Sequence, residues 1–271
     1  MDNLFKKAKD CFLIADPDEK IEQTFKLTSA WQAGNLSWSN EELIELFDEP
    51  GKLEKPEVVL PNELGKRKLG SEKGRASLIH ALAHIELTAV NLAWDAIYRY
   101  RDMPKEFYDD WAQCAKEEAT HFQMLTLRLK EMGYEYGSFS VHNELWKMAI
   151  ETKNDLSDRM AVVHRVFEAR ALDVVPGTIK RFDGLGDQFM VKTLNIICDE
   201  EVGHVSSAGR WFRYRCEQQN KNSDAEFSRL LKVYLSSPPK GPFNHLIRLQ
   251  AGFSQKELDF LDEKSPSKYW E

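Results

Sequence analysis

The sequence predicts an all-α protein built on four long helices, and three observations support this fold class. Apolar residues recur every three or four positions over four long stretches, which is the periodicity of amphipathic helices. Tight turns join the first stretch to the second and the third to the fourth, whereas about 22 residues, Gly133–Asp155, join the second to the third. Short connections make antiparallel neighbours. We therefore expect a four-helix bundle of two antiparallel hairpins joined by one long crossover.

Local helix signals support the limits of the four helices. Pro104 suits the first turn of the second helix, Gly133 suits its end, and Asp155 is the expected N-cap of the third. Pro176 predicts a kink or an early break in the third helix. The predicted ranges are Ser71–Arg101 (helix A), Pro104–Met132 (helix B), Leu156–Phe182 (helix C) and Asp187–Gln218 (helix D).

The flanking regions predict shorter elements that pack on the bundle. Several prolines and glycines between Glu49 and Gly70 predict an extended arm. We expect an N-terminal helical and extended arm in residues 1–70, the bundle in residues 71–220 and a C-terminal helical extension in residues 221–271. The short helices predicted in these flanks are Asn3–Ile14, Ile21–Gln32, Asp224–Leu235 and Gln255–Leu261.

The composition is that of a globular protein with a sizeable core. The chain has 271 residues, of which 42% are hydrophobic and 30% charged. Its net charge of −7 gives no support for general binding to nucleic acid or membranes. We find no run of about 18 apolar residues and no secretion signal, and the four cysteines form no C-x-x-C pair. A reduced, cytoplasmic protein is expected.

Six side chains of types that commonly ligate metals interrupt the apolar stripes of the four helices in a repeated order. In chain order they are Glu86, Glu118, His121, Glu168, Glu201 and His204. Helices A and C each supply one glutamate, and helices B and D each supply a Glu-x-x-His motif, whose two side chains share one helix face. This combination is the ligand set of di-iron and di-manganese carboxylate bundles.

Each glutamate pair is expected to lie level across its own hairpin. Glu86 and Glu118 are separated by 32 residues, with the predicted turn midway between them, about 25 Å from each. Glu168 and Glu201 are separated by 33 residues in the same way. Four buried carboxylates would repel one another, and two divalent cations would neutralise them. The alternative is four surface glutamates on helices of misjudged register, which the repeated pattern argues against.

At these residues the chain resembles the ferritin-like di-metal carboxylate superfamily. More closely, it resembles an uncharacterised ferritin-like family known only as a domain of unknown function, and it is more distantly similar to the tRNA-modifying di-iron hydroxylase. The resemblance covers most of the chain and implies a ferritin-like fold with two iron ions, manganese or zinc being alternatives. The blocks that carry it are His80-Ala-Leu-Ala-His-Ile-Glu86, Glu117-Glu-Ala-Thr-His121, Phe167-Glu-Ala-Arg170 and Asp199-Glu-Glu-Val-Gly-His204.

The resemblance also implies roles for residues beside the ligands. Related oxygenases often place an acidic residue before the ligand glutamate, hydrogen-bonded to a ligand histidine. Glu117 is therefore expected to orient His204, and Glu200 to orient His121, with solvated helix flanks as the alternative. His164 lies one turn before the third ligand glutamate, where it either lines a pocket, adds a ligand or is an ordinary core histidine.

Two further residues lie near the ligands in the sequence. Cys114, one turn before Glu118, is a conceivable thiol ligand, but a small buried side chain is the expected role. His84 lies about 200° around helix A from Glu86, which argues against its being a ligand.

Departures from known relatives narrow the implied function. Leu125 stands where ribonucleotide reductase subunits of the superfamily carry a radical tyrosine. The second Glu-x-x-His argues against a simple storage ferritin, and the lack of a rubredoxin-like cysteine tail argues against rubrerythrin. The resemblance therefore implies an O₂-activating oxidoreductase that hydroxylates or desaturates an unidentified small molecule. A ferroxidase, a peroxide scavenger and a non-enzymatic metal-stabilised bundle are the alternatives.

The same interpretation implies partners. The chain has no G-x-G-x-x-G or P-loop motif for a nucleotide, so an external electron donor or reductase is expected. No membrane partner is expected, and tRNA is retained only as an alternative to a small-molecule substrate. A homodimer through the outer helix faces is an expectation that the sequence leaves open.

Overall fold

The computed structural model describes residues 2–39, 45, 47–65 and 67–265. Parts of the predicted terminal regions, residues 1, 40–44, 46, 66 and 266–271, lie outside these ranges. The described chain is predominantly helical, which confirms the all-α fold class. It divides into two compact units, Met1–Trp146 and Lys147–Glu271. The sequence boundaries near residues 70 and 220 remain predictions about domain organisation.

The first unit is built around one long helical hairpin. Its two long helices pack against each other, α1 packs on α3, and α2 packs on α4. Two very short strands, β1 and β2, pair in parallel and tie the beginning of the chain to the segment after α2. The elements are β1 (Asp2–Asn3), α1 (Leu4–Phe12), α2 (Pro17–Gln32), β2 (Leu36–Ser37), a 3₁₀ turn (Pro61–Glu63), α3 (Glu72–Arg99) and α4 (Lys105–Glu131).

Local chemistry sets the limits of this hairpin close to those predicted for helices A and B. The Ser71 hydroxyl accepts a hydrogen bond from the Gly74 amide at 3.1 Å and caps α3. Asp102 adopts a φ of 63° in the connection, a conformation that aspartate tolerates better than most residues. Trp94 and Trp111 are almost fully buried in the core of this unit.

The segment before α3 is an extended arm that packs on the same unit. Val58 and Val141 form an isolated parallel bridge, and the Trp146 indole donates a hydrogen bond to the Asp48 carbonyl at 2.9 Å. Between β2 and α3 the described residues form one 3₁₀ turn and otherwise no regular helix or strand, and the arm as part of the domain organisation stays a prediction. The crossover contains a helix, α5 (Glu144–Glu151), that the sequence analysis did not predict.

The second unit contains the second hairpin and the C-terminal extension. The region predicted as helix C is three segments, α6, a π-helical segment and α7, and the interruption falls at Ala169. The predicted early break at Pro176 does not occur, because α7 continues through that proline to Gly184. The elements are α6 (Leu156–Arg159), the π segment (Met160–Glu168), α7 (Arg170–Gly184), α8 (Gln188–Gln218), α9 (Ser223–Tyr234), α10 (His245–Gln250) and α11 (Gln255–Lys264).

Two buried arginines attach the C-terminal extension to this hairpin. Arg165 in the π segment pairs with Glu257 of α11 at 2.5 Å, and its guanidinium lies 4.2 Å from the Phe253 ring centroid. Arg248 of α10 pairs with Asp173 of α7 at 2.7 Å. Because the side chains of all four charged residues are buried, loss of one partner would leave an uncompensated charge inside the unit.

One described helix satisfies the length and composition of a membrane span. An 18-residue window of α3 has a mean hydropathy of 1.2, but 72% of that window is buried inside the protein. This burial is typical of a core helix.

Candidate metal centre

The first unit brings three of the predicted ligands together. His121 Nδ1 lies 3.3 Å from an oxygen of Glu86 and 3.2 Å from an oxygen of Glu118. One ligand atom from each of the three residues lies within 4.8 Å of the other two, which is close enough for a single metal ion to reach all three. The side chains share this space because α3 and α4 pack along their length.

Burial distinguishes this cluster from an ordinary surface group of acids. The exposed fraction is only 4% for Glu86, 1% for Glu118 and 0% for His121. Ala83 and Val90 on α3, one turn to either side of Glu86, are fully buried apolar residues. The carboxylates therefore interrupt an apolar helix interface, as the sequence pattern predicts.

The electrostatics of the cluster favour a cation. Burial and the neighbouring Glu118 carboxyl raise the pKa of Glu86 well above its ordinary value, and the hydrogen bond from His121 offsets this only in part. A proton on Glu86 is one way to reduce the repulsion between the two carboxylates. A divalent cation is the other, and it would be met by two oxygens and one imidazole nitrogen, a donor set suited to iron, manganese or zinc.

The second unit holds the corresponding residues in a looser arrangement. Glu168 lies at the end of the π segment, where its carboxylate is 2.5 Å from His164 Nδ1. Glu201 and His204 lie on α8, with 3.8 Å between a carboxylate oxygen and Nδ1. Both α8 side chains are buried. Among the described residues of this unit, no three ligand atoms approach within 4.8 Å of one another as they do in the first unit.

Residues predicted to lie beside the ligands have varied surroundings. Glu117 is half-buried and accepts a hydrogen bond from the Gln113 amide at 2.7 Å. Glu200 is half-buried on α8. Cys114 is buried, with its Sγ within 4.8 Å of a Glu118 carboxylate oxygen, so a thiol does adjoin the candidate ligands. The orienting roles of Glu117 and Glu200 stay predictions.

Comparison with known proteins gives a family but no named activity. The family described as "Protein of unknown function (DUF455)" matches residues 13–259. The chain belongs to this family. An "Uncharacterized protein" of Haemophilus influenzae is 40% identical over 217 residues, which cover 78% of this chain and 75% of that relative. No solved structure was found to match. The DUF455 match includes every predicted ligand and confirms the resemblance to an uncharacterised family.

The sequence analysis of this DUF455 member missed a second group of polar residues on the outer face of α3. Lys20 and Asn91 are buried there beside a cavity, and His84 contacts Tyr136 and Asn143. The signal for Lys20 was present in the sequence. Buried residues of α2 recur at helical spacing, and the first of them along the chain is a lysine. This buried stripe consists of Lys20, Thr24, Leu27, Thr28 and Trp31.

Proposed function

We propose that this DUF455 member is a ferritin-like di-metal oxidoreductase that activates O₂ for an unidentified substrate. In this proposal the two hairpins pair as a four-helix bundle, and their six predicted ligands surround two iron ions. The observation that carries the proposal is the buried cluster of Glu86, Glu118 and His121, together with the repetition of the same residue types in the second hairpin.

The donor set and its charge support two divalent metals. Each hairpin supplies two carboxylates and one imidazole, so two divalent cations would balance four negative charges. Iron is the preferred metal by resemblance to di-iron carboxylate proteins, with manganese and zinc as alternatives. When bound, the iron pair would supply the redox chemistry with O₂ that no protein side chain provides.

The protein's own residues would place and shield the metals. Glu86, Glu118, Glu168 and Glu201 would supply carboxylate oxygens to the metals, and His121 and His204 would each supply an imidazole nitrogen. His164 would hold the carboxylate of Glu168 in place through the contact at 2.5 Å. The apolar residues around the first cluster would exclude water from the reaction.

The proposal also includes a cytoplasmic location. It further includes an external electron donor, because the sequence has no G-x-G-x-x-G or P-loop motif for a nucleotide. A small organic molecule is the proposed substrate class, by analogy with hydroxylases and desaturases of this superfamily. A homodimer is the proposed assembly.

The deciding experiment compares metal content and O₂ consumption in the natural protein and in Glu118→Ala. Metal-free protein would be loaded with Fe²⁺ without oxygen, desalted, and exposed to O₂ in an oxygen electrode cell. We expect about two irons per chain and O₂ consumption in proportion to bound iron. Glu118→Ala should lose most of its iron, because it removes a ligand and leaves the remaining cluster incomplete.

Glu106→Ala is the matched control, since Glu106 lies on the same helix but is exposed. It should bind iron as the natural protein does. Iron that binds without O₂ consumption would favour a structural metal, and consumption of H₂O₂ in preference to O₂ would favour a peroxide scavenger. Equal iron content in the natural protein and Glu118→Ala would contradict the proposed site.

A further inference from the structure

We propose that the first unit contains a second binding site, for a small carboxylic acid with a short apolar body, anchored by Lys20. The site is a cavity of about 420 Å³ between α3 and the extended arm, a size typical of small-molecule sites. Asn91 lines it from α3 and lies about 140° around that helix from Glu86. The cavity is therefore on the opposite side of α3 from the candidate metal ligands.

The first observation is a buried ammonium group with no carboxylate beside it. Lys20 is 3% exposed, and among the described residues no carboxylate lies within ion-pair distance of it. Its Nζ donates to the Phe12 carbonyl at 3.0 Å and to the Asn91 side-chain oxygen. A buried charge without a counter-charge is unfavourable, and an ammonium has three donors. One N–H and one positive charge are thus left for a ligand at the cavity wall.

Asn91 provides a second donor next to Lys20. Because an ammonium only donates, the amide oxygen of Asn91 must face Lys20, and its NH₂ group is turned away from Lys20. No described residue accepts a hydrogen bond from that NH₂ group. An ammonium and an amide NH₂ on one wall match the two oxygens of a single carboxylate.

About two turns along the same face of α3 from Asn91, the cavity lining is polar but uncharged. The Tyr136 hydroxyl lies 2.8 Å from His84 Nδ1, and the other ring nitrogen lies 3.0 Å from the Asn143 side-chain oxygen. The remaining charged residues that line the cavity are Glu49 and Lys52, both exposed at its edge. These two charges cancel, so the cavity keeps the single positive charge of Lys20.

The rest of the lining favours an apolar body. Leu87 and Trp146 are buried in the cavity wall. A phosphate site normally offers an arginine cluster or free amides at a helix N-terminus. Here the side chain of Asp16 already accepts the Glu19 amide at 2.8 Å in the first turn of α2. A monocarboxylate is therefore the better match, and this inference does not depend on the proposed metal chemistry.

The test is calorimetric titration of the full-length protein with hexanoate and with hexanamide, its uncharged analogue. We expect hexanoate to bind at least about tenfold more tightly than hexanamide, because only hexanoate pairs with the ammonium. Lys20→Met keeps the length of the side chain and removes the charge, so it should weaken hexanoate binding at least about tenfold. Lys52→Met, at the exposed edge, should change it less than about threefold.

Three results would overturn the proposal: undetectable hexanoate binding, equal binding of hexanoate and hexanamide, or hexanoate binding by folded Lys20→Met as tight as by the natural protein. Tighter binding of inorganic phosphate than of hexanoate would also overturn it, in favour of a phosphate site. Circular dichroism would establish that Lys20→Met is folded. If Lys20→Met does not fold, the difference between hexanoate and hexanamide binding to the natural protein still tests the proposal.

Discussion

At the scale of single residues, Glu86 and Glu118 show what two buried carboxylates require of their surroundings. Both lie in an apolar helix interface, and the pKa of Glu86 is raised by burial first and by the charge of Glu118 second. In the metal-free protein, the native state therefore keeps a proton that the unfolded chain releases at the ordinary carboxyl pKa. Stability from this proton is present below that ordinary pKa and is lost as pH rises towards the raised pKa.

Glu86→Gln should remove this pH dependence in the metal-free protein, because glutamine stays neutral. We expect the free energy of unfolding of the natural protein, relative to that of Glu86→Gln, to fall between about pH 5 and pH 8. Urea unfolding followed by circular dichroism would measure both. Glu106→Gln, which changes an exposed glutamate, should behave like the natural protein. Parallel pH profiles for Glu86→Gln and the natural protein would contradict the assignment of this proton.

The candidate ligands could be predicted from the sequence because each one stands where an apolar residue would continue a helical stripe. The first cluster follows from spacing alone, since Glu86, Glu118 and His121 meet across one hairpin. The proximity of His164 and Glu168 was predictable, since residues four apart are neighbours on a helix, but the pairing of this histidine with the glutamate rather than with another group was not. Lys20 differs from these residues. Its burial could have been predicted from its place in the buried stripe of α2, but the sequence analysis did not single it out.

At the scale of elements, the long helices were predicted within a few residues because their limits depend on local signals such as caps and turns. The Ser71 cap of α3 and the Asp155 cap of α6 are hydrogen bonds within three residues. The pairing of β1 with β2 was not predicted, because a two-residue strand has no pattern and forms only with a distant partner. The π segment was missed for a similar reason, since packing rather than residue type selects it.

The π segment and α8 approach closely at Gly209, and this contact is testable. A β-carbon added at Gly209 would collide with the Arg165 guanidinium, which is buried and held by Glu257. We expect Gly209→Ala to lower the free energy of unfolding by about 1–3 kcal/mol, the usual effect of overpacking a core. Chemical denaturation would measure the change.

Gly203→Ala is the control on the same helix. A β-carbon there would meet nothing within 4 Å, and Gly203 is exposed. Alanine is the better helix former, so this change should raise stability by up to about 1 kcal/mol. If Gly209→Ala were as stable as Gly203→Ala, the close packing of Arg165 on α8 would be wrong.

At the scale of the whole molecule, each compact unit contains one single glutamate predicted to be a metal ligand and one Glu-x-x-His motif. If the metals bind the folded chain and not the unfolded one, they stabilise the fold by mass action. Removal of metal with a chelator should therefore lower the melting temperature, and added Fe²⁺ should restore it. At a metal concentration about 100 times Kd, the stabilisation would be about 2.7 kcal/mol.

Differential scanning calorimetry on chelated and reloaded protein would measure this shift. Glu118→Ala should show a much smaller shift, because it lacks a ligand to the metal. Equal melting temperatures for chelated and reloaded natural protein would mean that metal binding is not coupled to folding of this chain.

The wide turn that ends at Glu168 has a consequence for how the two halves of the sequence can diverge. The Ala169 amide bonds to the His164 carbonyl, five residues back, so this turn holds one residue more than an α-helical turn. A π turn can accommodate a single inserted residue while the helices on either side keep their α-helical hydrogen bonds. A repeated hairpin can thus gain a residue in one copy and still keep its chemically important side chains in order.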